Sequence, residues 1–127
     1  MRIVVSGSRQ LNDTIWIERA LCGYLGSGDL VVTGGCRGVD KIAHDWARRM
    51  FCKTEVVEAD WDKHGKAAGP IRNAQMIEDA DLLIAFWDGR SRGTRNAIDE
   101  ARKRGIETHI HYPTPVRADQ KEDQSDE

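Results

Sequence analysis

Two periodicities take turns along this chain, and their alternation leaves few folds open. Short apolar runs, RIVVS at 2–6, DLVVTGG at 29–35, TEVVEA at 54–59, Asp81 to Trp87 and IETHIHY at 106–112, have the length and β-branched content of buried strands. Between them, apolar residues recur at helical spacing. Ile17, Ala20, Leu21, Tyr24 and Leu25 share one face, with Asn12 or Asp13 placed to cap and GSG at 26–28 as the stop. Val39, Ala43, Trp46, Ala47 and Met50 share a second. A longer loop is expected from Asp60 to Gly69, and Pro70 suits the first turn of a third helix, where its missing N–H would be unpaired anyway. A fourth helix is expected from about Thr94 to Arg104. Its basic end suits the helix dipole, and Gly105 stops it.

Strands that alternate with helices imply right-handed crossovers and a parallel sheet covered on both faces. The expected fold class is α/β, a three-layer Rossmann-like sandwich with a parallel five-stranded sheet in the order 3-2-1-4-5. The 127 residues suit one domain, 1–115, followed by a tail at 116–127. Residues 117–127 hold two basic and five acidic side chains and no apolar residue but Ala118, the composition of a disordered segment. The formal charge of -2 therefore leaves a near-neutral body, unlike the basic excess of a duplex-DNA binder. No apolar run approaches the ~20 residues of a membrane span, and the N-terminus lacks a signal peptide's apolar segment. A cytoplasmic protein is expected.

In such a sheet, ligands bind beyond the carboxyl ends of the strands, where the strand order reverses. The segments leaving those ends are Gly7-Ser8-Arg9, GGCRG at 34–38, DWDKHGKAAGPIRN at 60–73 and DGRSRGTRN at 88–96. All are rich in glycine, arginine or both. Segments at the opposite edge, GYLGSGD and EDAD, contain no arginine. Glycines let backbone N–H groups approach an anion, helix N-termini add a favourable dipole, and arginine offers a bidentate, permanently charged partner. Arg9, Arg37, Arg72 and Arg95 are the candidates for phosphate. The bland alternative is tight turns with solvated arginines.

Known signatures are missing. No G-x-x-x-x-G-K-[ST] occurs, and no G-x-G-x-x-G follows the first strand. Cys22, Cys36 and Cys52 form no C-x-x-C and make no zinc pattern with the four histidines, so no metal and no cofactor are expected. Cys36 stands at a helix N-terminus, as an activated thiol or simply a small loop residue. His109 and His111 fall on one face of a strand, as a metal pair or an ordinary edge-strand pair. Trp46 is expected in the core and Trp16 beside it. Trp61 and Trp87 are placed to stack on bases, with burial under the fourth helix as the alternative for Trp87.

Read together, GSR near the start, GGCRGVDKIAHDWA, GPIRNAQMI and GRSRGTRNAIDEA resemble the SLOG superfamily, which joins DprA/Smf proteins with the Lonely Guy phosphoribohydrolases, and in particular its YspA-like branch. The resemblance covers residues 1 to about 111. It implies a nucleotide or nucleotide-derived ligand, ADP-ribose-like or cyclic, whose phosphate meets the GxSxGT turn. It singles out Gly7, Ser8 and Arg9; Gly34, Gly35 and Arg37; Arg72 and Asn73; and Gly89, Ser91, Gly93 and Thr94. It also implies a homo-oligomer, and single-stranded DNA as a further class of partner.

The chain departs from the Lonely Guy pattern P-G-G-x-G-T-x-x-E. Ala97 stands where the glutamate would be, and Asp88-Gly89-Arg90 replaces Pro-Gly-Gly. Binding, as sensor, sponge or processing factor, is therefore the first expectation. Hydrolysis of an N-glycosidic or phosphate bond is the alternative, with Asp40 and Asp88 as the candidate catalytic carboxylates. Asp40 also stands where it can support the N-terminus of the second helix.

Overall fold

The computed structural model describes residues 1–113; the acidic tail and the end of the expected domain lie outside the described residues. Five parallel strands, β1 (Arg2–Gly7), β2 (Leu30–Thr33), β3 (Lys53–Val56), β4 (Leu82–Phe86) and β5 (Glu107–His111), form one sheet in the order β3-β2-β1-β4-β5. The helices are α1 (Thr14–Cys22), α2 (Val39–Arg49), α3 (Trp61–His64), α4 (Ala68–Ile77) and α5 (Arg92–Lys103).

The three layers follow from the pleat. Ile3 and Val5 of β1 join Ile84 and Phe86 of β4 in a core with Ile17, Leu21, Val39, Ala43 and Ala47 of α1 and α2. Their neighbours Val4, Leu83 and Ala85 point the other way, to Met76 and Ile77 of α4 and Ala97, Ile98 and Ala101 of α5. A strand buried on both faces has no polar alternation, and all five residues of β4 are buried. Asp13 caps α1 by accepting the Trp16 N–H at 3.1 Å.

The expected loop from Asp60 to Gly69 is not irregular. Asp60 accepts the Lys63 N–H at 3.1 Å and starts α3; a 3₁₀ turn at Gly65–Ala67 then runs into α4. Apolar periodicity does not reveal a four-residue helix with no buried side chain. Pro70 lies in the first turn of α4, as expected. The expected strand at 54–59 is cut to Lys53–Val56 on the sheet edge, because the chain turns away after the Val57 N–H meets the Thr33 carbonyl at 2.9 Å. Trp46 is only partly buried, with Arg49 lying 5.2 Å over its ring.

The two C-terminal histidines have ordinary partners. His109 meets Glu107 at 2.7 Å, and His111 meets the Tyr24 hydroxyl at 2.9 Å while stacking on Phe86. Among the described residues no helix is long and apolar enough to cross a membrane.

Candidate functional site

β1 and β4 are neighbours in space but distant in sequence, and the loops leaving them diverge. Gly7 pairs in register with Phe86 at the last rung. Just beyond it the buried Ser8 joins the two loops. Its N–H donates to the Phe86 carbonyl at 3.1 Å, and its Oγ accepts the Asp88 N–H at 3.3 Å. A cavity of about 450 Å³ opens there, at the reversal of strand order.

One wall is the turn into α5. Asp88 Oδ1 accepts the N–H groups of Arg90 and Ser91, each at 2.8 Å, and Gly89 takes a φ of 85° that side chains rarely adopt. Burial pushes the Asp88 carboxyl up, but the bonds from Ser91, Arg90 and Ser8 outweigh it and hold the group below its ordinary value. Trp87 Nε1 donates to the Ser91 carbonyl at 3.0 Å, which ties this indole to the turn.

Ser91 is the N-cap of α5, yet its side chain caps no helix N–H; its Oγ lies 3.4 Å from Thr94 Oγ1. The first α-helical bond is Arg95 N–H to Ser91 carbonyl, at 3.2 Å. The N–H groups of Arg92, Gly93 and Thr94 thus have no acceptor among the described residues, and Ser91, Gly93 and Thr94 line the cavity.

The opposite wall comes from β2 and α2. α2 also starts without a side-chain cap, at Gly38, where a Cβ would lie 2.5 Å from the Arg9 carbonyl oxygen. Asp40 bonds no N–H of its own helix. Its Oδ2 reaches back to the N–H groups of Gly34 and Cys36, each at 3.2 Å, while Oδ1 is buried without a partner among the described residues. Burial raises this carboxyl to about 6, against the opposing pull of the Cys36 and Gly34 N–H groups and of Arg72 and Arg9.

α4 supplies the third wall. Arg72 Nη1 donates to the Gly34 carbonyl at 2.9 Å and to the Val57 carbonyl at 3.4 Å. Its Nε donates to Asn73 Oδ1 at 3.0 Å. The buried Asn73 passes the connection on, donating to the Gly93 carbonyl at 3.2 Å and to Asn96 Oδ1 at 2.9 Å.

The sequence and the fold that carry this cavity both match known proteins. The sequence profile of the YspA, cpYpsA-related SLOG family matches residues 1–64. The Gene 61 protein of Mycobacterium phage D29 is 44% identical over 114 residues, covering 83% of this chain and 91% of that protein. The chain belongs to the YspA, cpYpsA-related SLOG family.

Among solved structures, the SLOG chain is similar to DNA processing protein A (DprA) from Streptococcus pneumoniae, with a TM-score of 0.71 at 18% identity. That match covers 98% of this chain but only 56% of DprA. DprA from Helicobacter pylori, described by its single-stranded DNA binding mode, gives 0.68 at 18% identity, covering 98% of this chain and 73% of that one. The molybdenum cofactor binding protein of Rippkaea orientalis gives 0.69 at 18% identity, covering 98% and 82%. At these identities the likeness is one of fold.

Of the residues singled out from the sequence, Gly7, Ser8, Arg9, Asp40, Arg72, Asn73, Asp88, Ser91, Gly93 and Thr94 line the SLOG chain's switch-point cavity. Gly34, Gly35, Arg37, Gly89 and Arg95 do not. Gly34 lies behind Arg72, and a Cβ there would collide with the guanidinium. Gly35 and Arg37 line a neighbouring cavity. Gly89 shapes its turn, and Arg95 extends along α5 to Asp99 at 3.9 Å.

Arg90, Gln10, Cys36 and Met76 are also on the wall. Gln10 simply continues the Gly7-Ser8-Arg9 loop, whereas Met76 is a buried side chain of α4 to which the sequence alone assigned no role. Ala97 is fully buried between α5 and the sheet, so its position brings no polar group to the cavity. Asp99 and Glu100 pair along α5, with Arg95 and with Arg104. Trp61 is 52% exposed.

Proposed function

We propose that this SLOG protein binds a nucleotide or nucleotide-derived small molecule, ADP-ribose-like or cyclic, by its phosphate in the crevice between β1 and β4. It acts as a sensor, a sponge or a processing factor for that molecule. The observation that carries the reading is the open N-terminus of α5, with three N–H groups that have no acceptor, and no side-chain cap, among the described residues. Such a terminus attracts anions through its N–H groups and its dipole together. Arg9, Arg72 and Arg90 on the cavity wall, against Asp40 and Asp88, leave one positive charge over. A small-molecule partner also accords with the cofactor-binding neighbour of the same fold.

Calorimetry with inorganic phosphate and a nucleotide panel tests this. Binding in the micromolar to low-millimolar range is expected, weakened about tenfold by Arg9→Ala. No heat from any compound at about 1 mM, a concentration that detects weak phosphate sites, would sink the reading. Chromatography of the same mixtures shows whether Asp40 and Asp88 also serve hydrolysis; unchanged compounds leave binding alone.

A second reading is single-stranded DNA, the partner named for one structural neighbour. The half-exposed Trp61, in the segment leaving β3 at the same sheet edge, favours it as a stacking surface. Retention of a labelled oligonucleotide that falls steeply with salt and with Trp61→Ala is the expected sign. Salt-independent retention, or none, removes this reading.

A further inference from the structure

A second cavity, of about 380 Å³, lies beyond the ends of β2 and β3, on the far side of Cys36 and Asp40 from the first. Both residues line both cavities. Thr33 Oγ1, Asp40 Oδ1 and His44 Nδ1, side-chain atoms of three residues that line this wall, are buried and have no hydrogen-bond partner among the described residues. They come from two elements. Thr33 ends β2 and is 1% exposed, whereas Asp40 and His44 stand one turn apart on the same face of α2. Most buried polar atoms in folded proteins are paired, so three unpaired ones just behind the surface of one cavity point to a missing partner.

The two cavities differ in charge. The first has three arginines against two carboxylates. The second has Arg37 and Lys41 against Asp40, Asp45 and Glu58. The surplus of one positive charge in the first becomes one negative charge in the second. A phosphate is therefore better placed in the first. The second suits an uncharged group that donates hydrogen bonds, because a carboxylate oxygen can only accept and a hydroxyl or imidazole can do either. Both volumes fall within the ~300–1,000 Å³ typical of small-molecule sites.

We propose that the cavity between β2, β3 and α2 is a second subsite, which holds the hydroxyl- or amine-bearing nucleoside end of the ligand whose phosphate occupies the first. Thr33 and His44 select that end, and Asp40 contacts the ligand where it passes from one cavity to the other. The inference rests on the phosphate site proposed above. The three atoms are closed to bulk water, so seating the ligand takes a small shift of the cavity wall, through which Thr33 and His44 come to face it.

Calorimetry on the full chain with inorganic phosphate, ribose 5-phosphate and the four ribonucleoside 5′-monophosphates tests it, for the wild type, Thr33→Val and His44→Phe. The wild type is expected to bind at least one nucleotide about tenfold more tightly than inorganic phosphate, and each variant to lose most of that advantage. Phosphate affinity should stay within about twofold in both variants, which also shows that they are folded and that the first cavity works. Equal affinity for phosphate and every nucleotide overturns the second subsite and leaves the phosphate site standing. So does a nucleotide advantage that survives both substitutions, the result expected if the second cavity holds only water. Absence of phosphate and nucleotide binding in the wild type overturns both readings together.

Discussion

The Arg72 guanidinium donates to the Gly34 carbonyl at 2.9 Å, while Asp40 accepts the Gly34 N–H at 3.2 Å. One glycine at the end of β2 thus has both its N–H and its carbonyl held by side chains. Arg72 also grips Asn73, and Asn73 grips the Gly93 carbonyl, so the β2–α2 loop and the first turn of α5 share one network. The arginine expected to meet phosphate is already engaged along one edge with backbone.

Arg72→Ala should therefore cost stability as well as any ligand affinity. Loss of charge-assisted bonds to buried carbonyls predicts about 1.5–3 kcal/mol, read from urea unfolding at an unchanged m-value. Arg72→Lys should recover little, because an ammonium cannot serve the Gly34 carbonyl and Asn73 Oδ1 with the same planar fork. Full recovery by lysine would show that charge alone matters.

Asn73→Leu keeps the bulk and removes all three side-chain bonds, including the one Asn73 Oδ1 accepts from Arg72 Nε. The Gly93 carbonyl and Asn96 lose a donor, and about 1–3 kcal/mol should go with them. Hydrogen exchange should speed up at the first bonded amides of α5, from Arg95 onward, more than in β4. Uniform acceleration would argue against a local clamp.

Asp40 makes stability depend on pH with an unusual sign. Its folded value, about 6, lies above the ordinary 3.8, so between those values the folded state holds a proton that the unfolded state has lost. The contribution of Asp40 to stability is therefore fully present below pH 4, falls as pH rises toward 6, and is flat above. The total is about 2–3 kcal/mol. Asp40→Asn keeps an oxygen for Gly34 and Cys36 and removes the ionisation. It should flatten this part of the curve and stabilise the chain at pH 7–8. An unchanged slope between pH 4 and 6 would assign the effect elsewhere.

Phe51 is 85% exposed and holds a φ of 63° just after α2, a left-handed conformation that favours glycine. Phe51→Gly should raise stability by about 0.5–1 kcal/mol, visible as an increase in Tm. Gly38→Ala should do the reverse, losing more than about 1 kcal/mol, because its φ is 77° and the Arg9 carbonyl occupies the space a Cβ would need.

Much of this architecture is written along the chain. Five apolar runs and the helical spacings between them determined a parallel sheet in the order β3-β2-β1-β4-β5, because a strand such as β4 with no polar face must be covered on both sides. That order brings Ser8, Asp40, Asn73 and Ser91 around one crevice. Local chemistry also narrowed the α1 cap to Asn12 or Asp13, of which the fold uses Asp13, but did not announce α3, which buries no side chain and so leaves no periodic mark.

What each polar group does was decided only by the folded chain. Arg72, Arg37 and Arg95 are chemically alike, yet one is tied to the Gly34 carbonyl, one borders the second cavity and one lies along α5 beside Asp99. The partner of a long side chain depends on atoms brought in from distant segments, and local spacing carries no record of them. The same holds for Thr33, Asp40 and His44. Their residue types are ordinary in sequence, and only the packing of β2 against α2 leaves three of their atoms buried and unpaired beside one cavity.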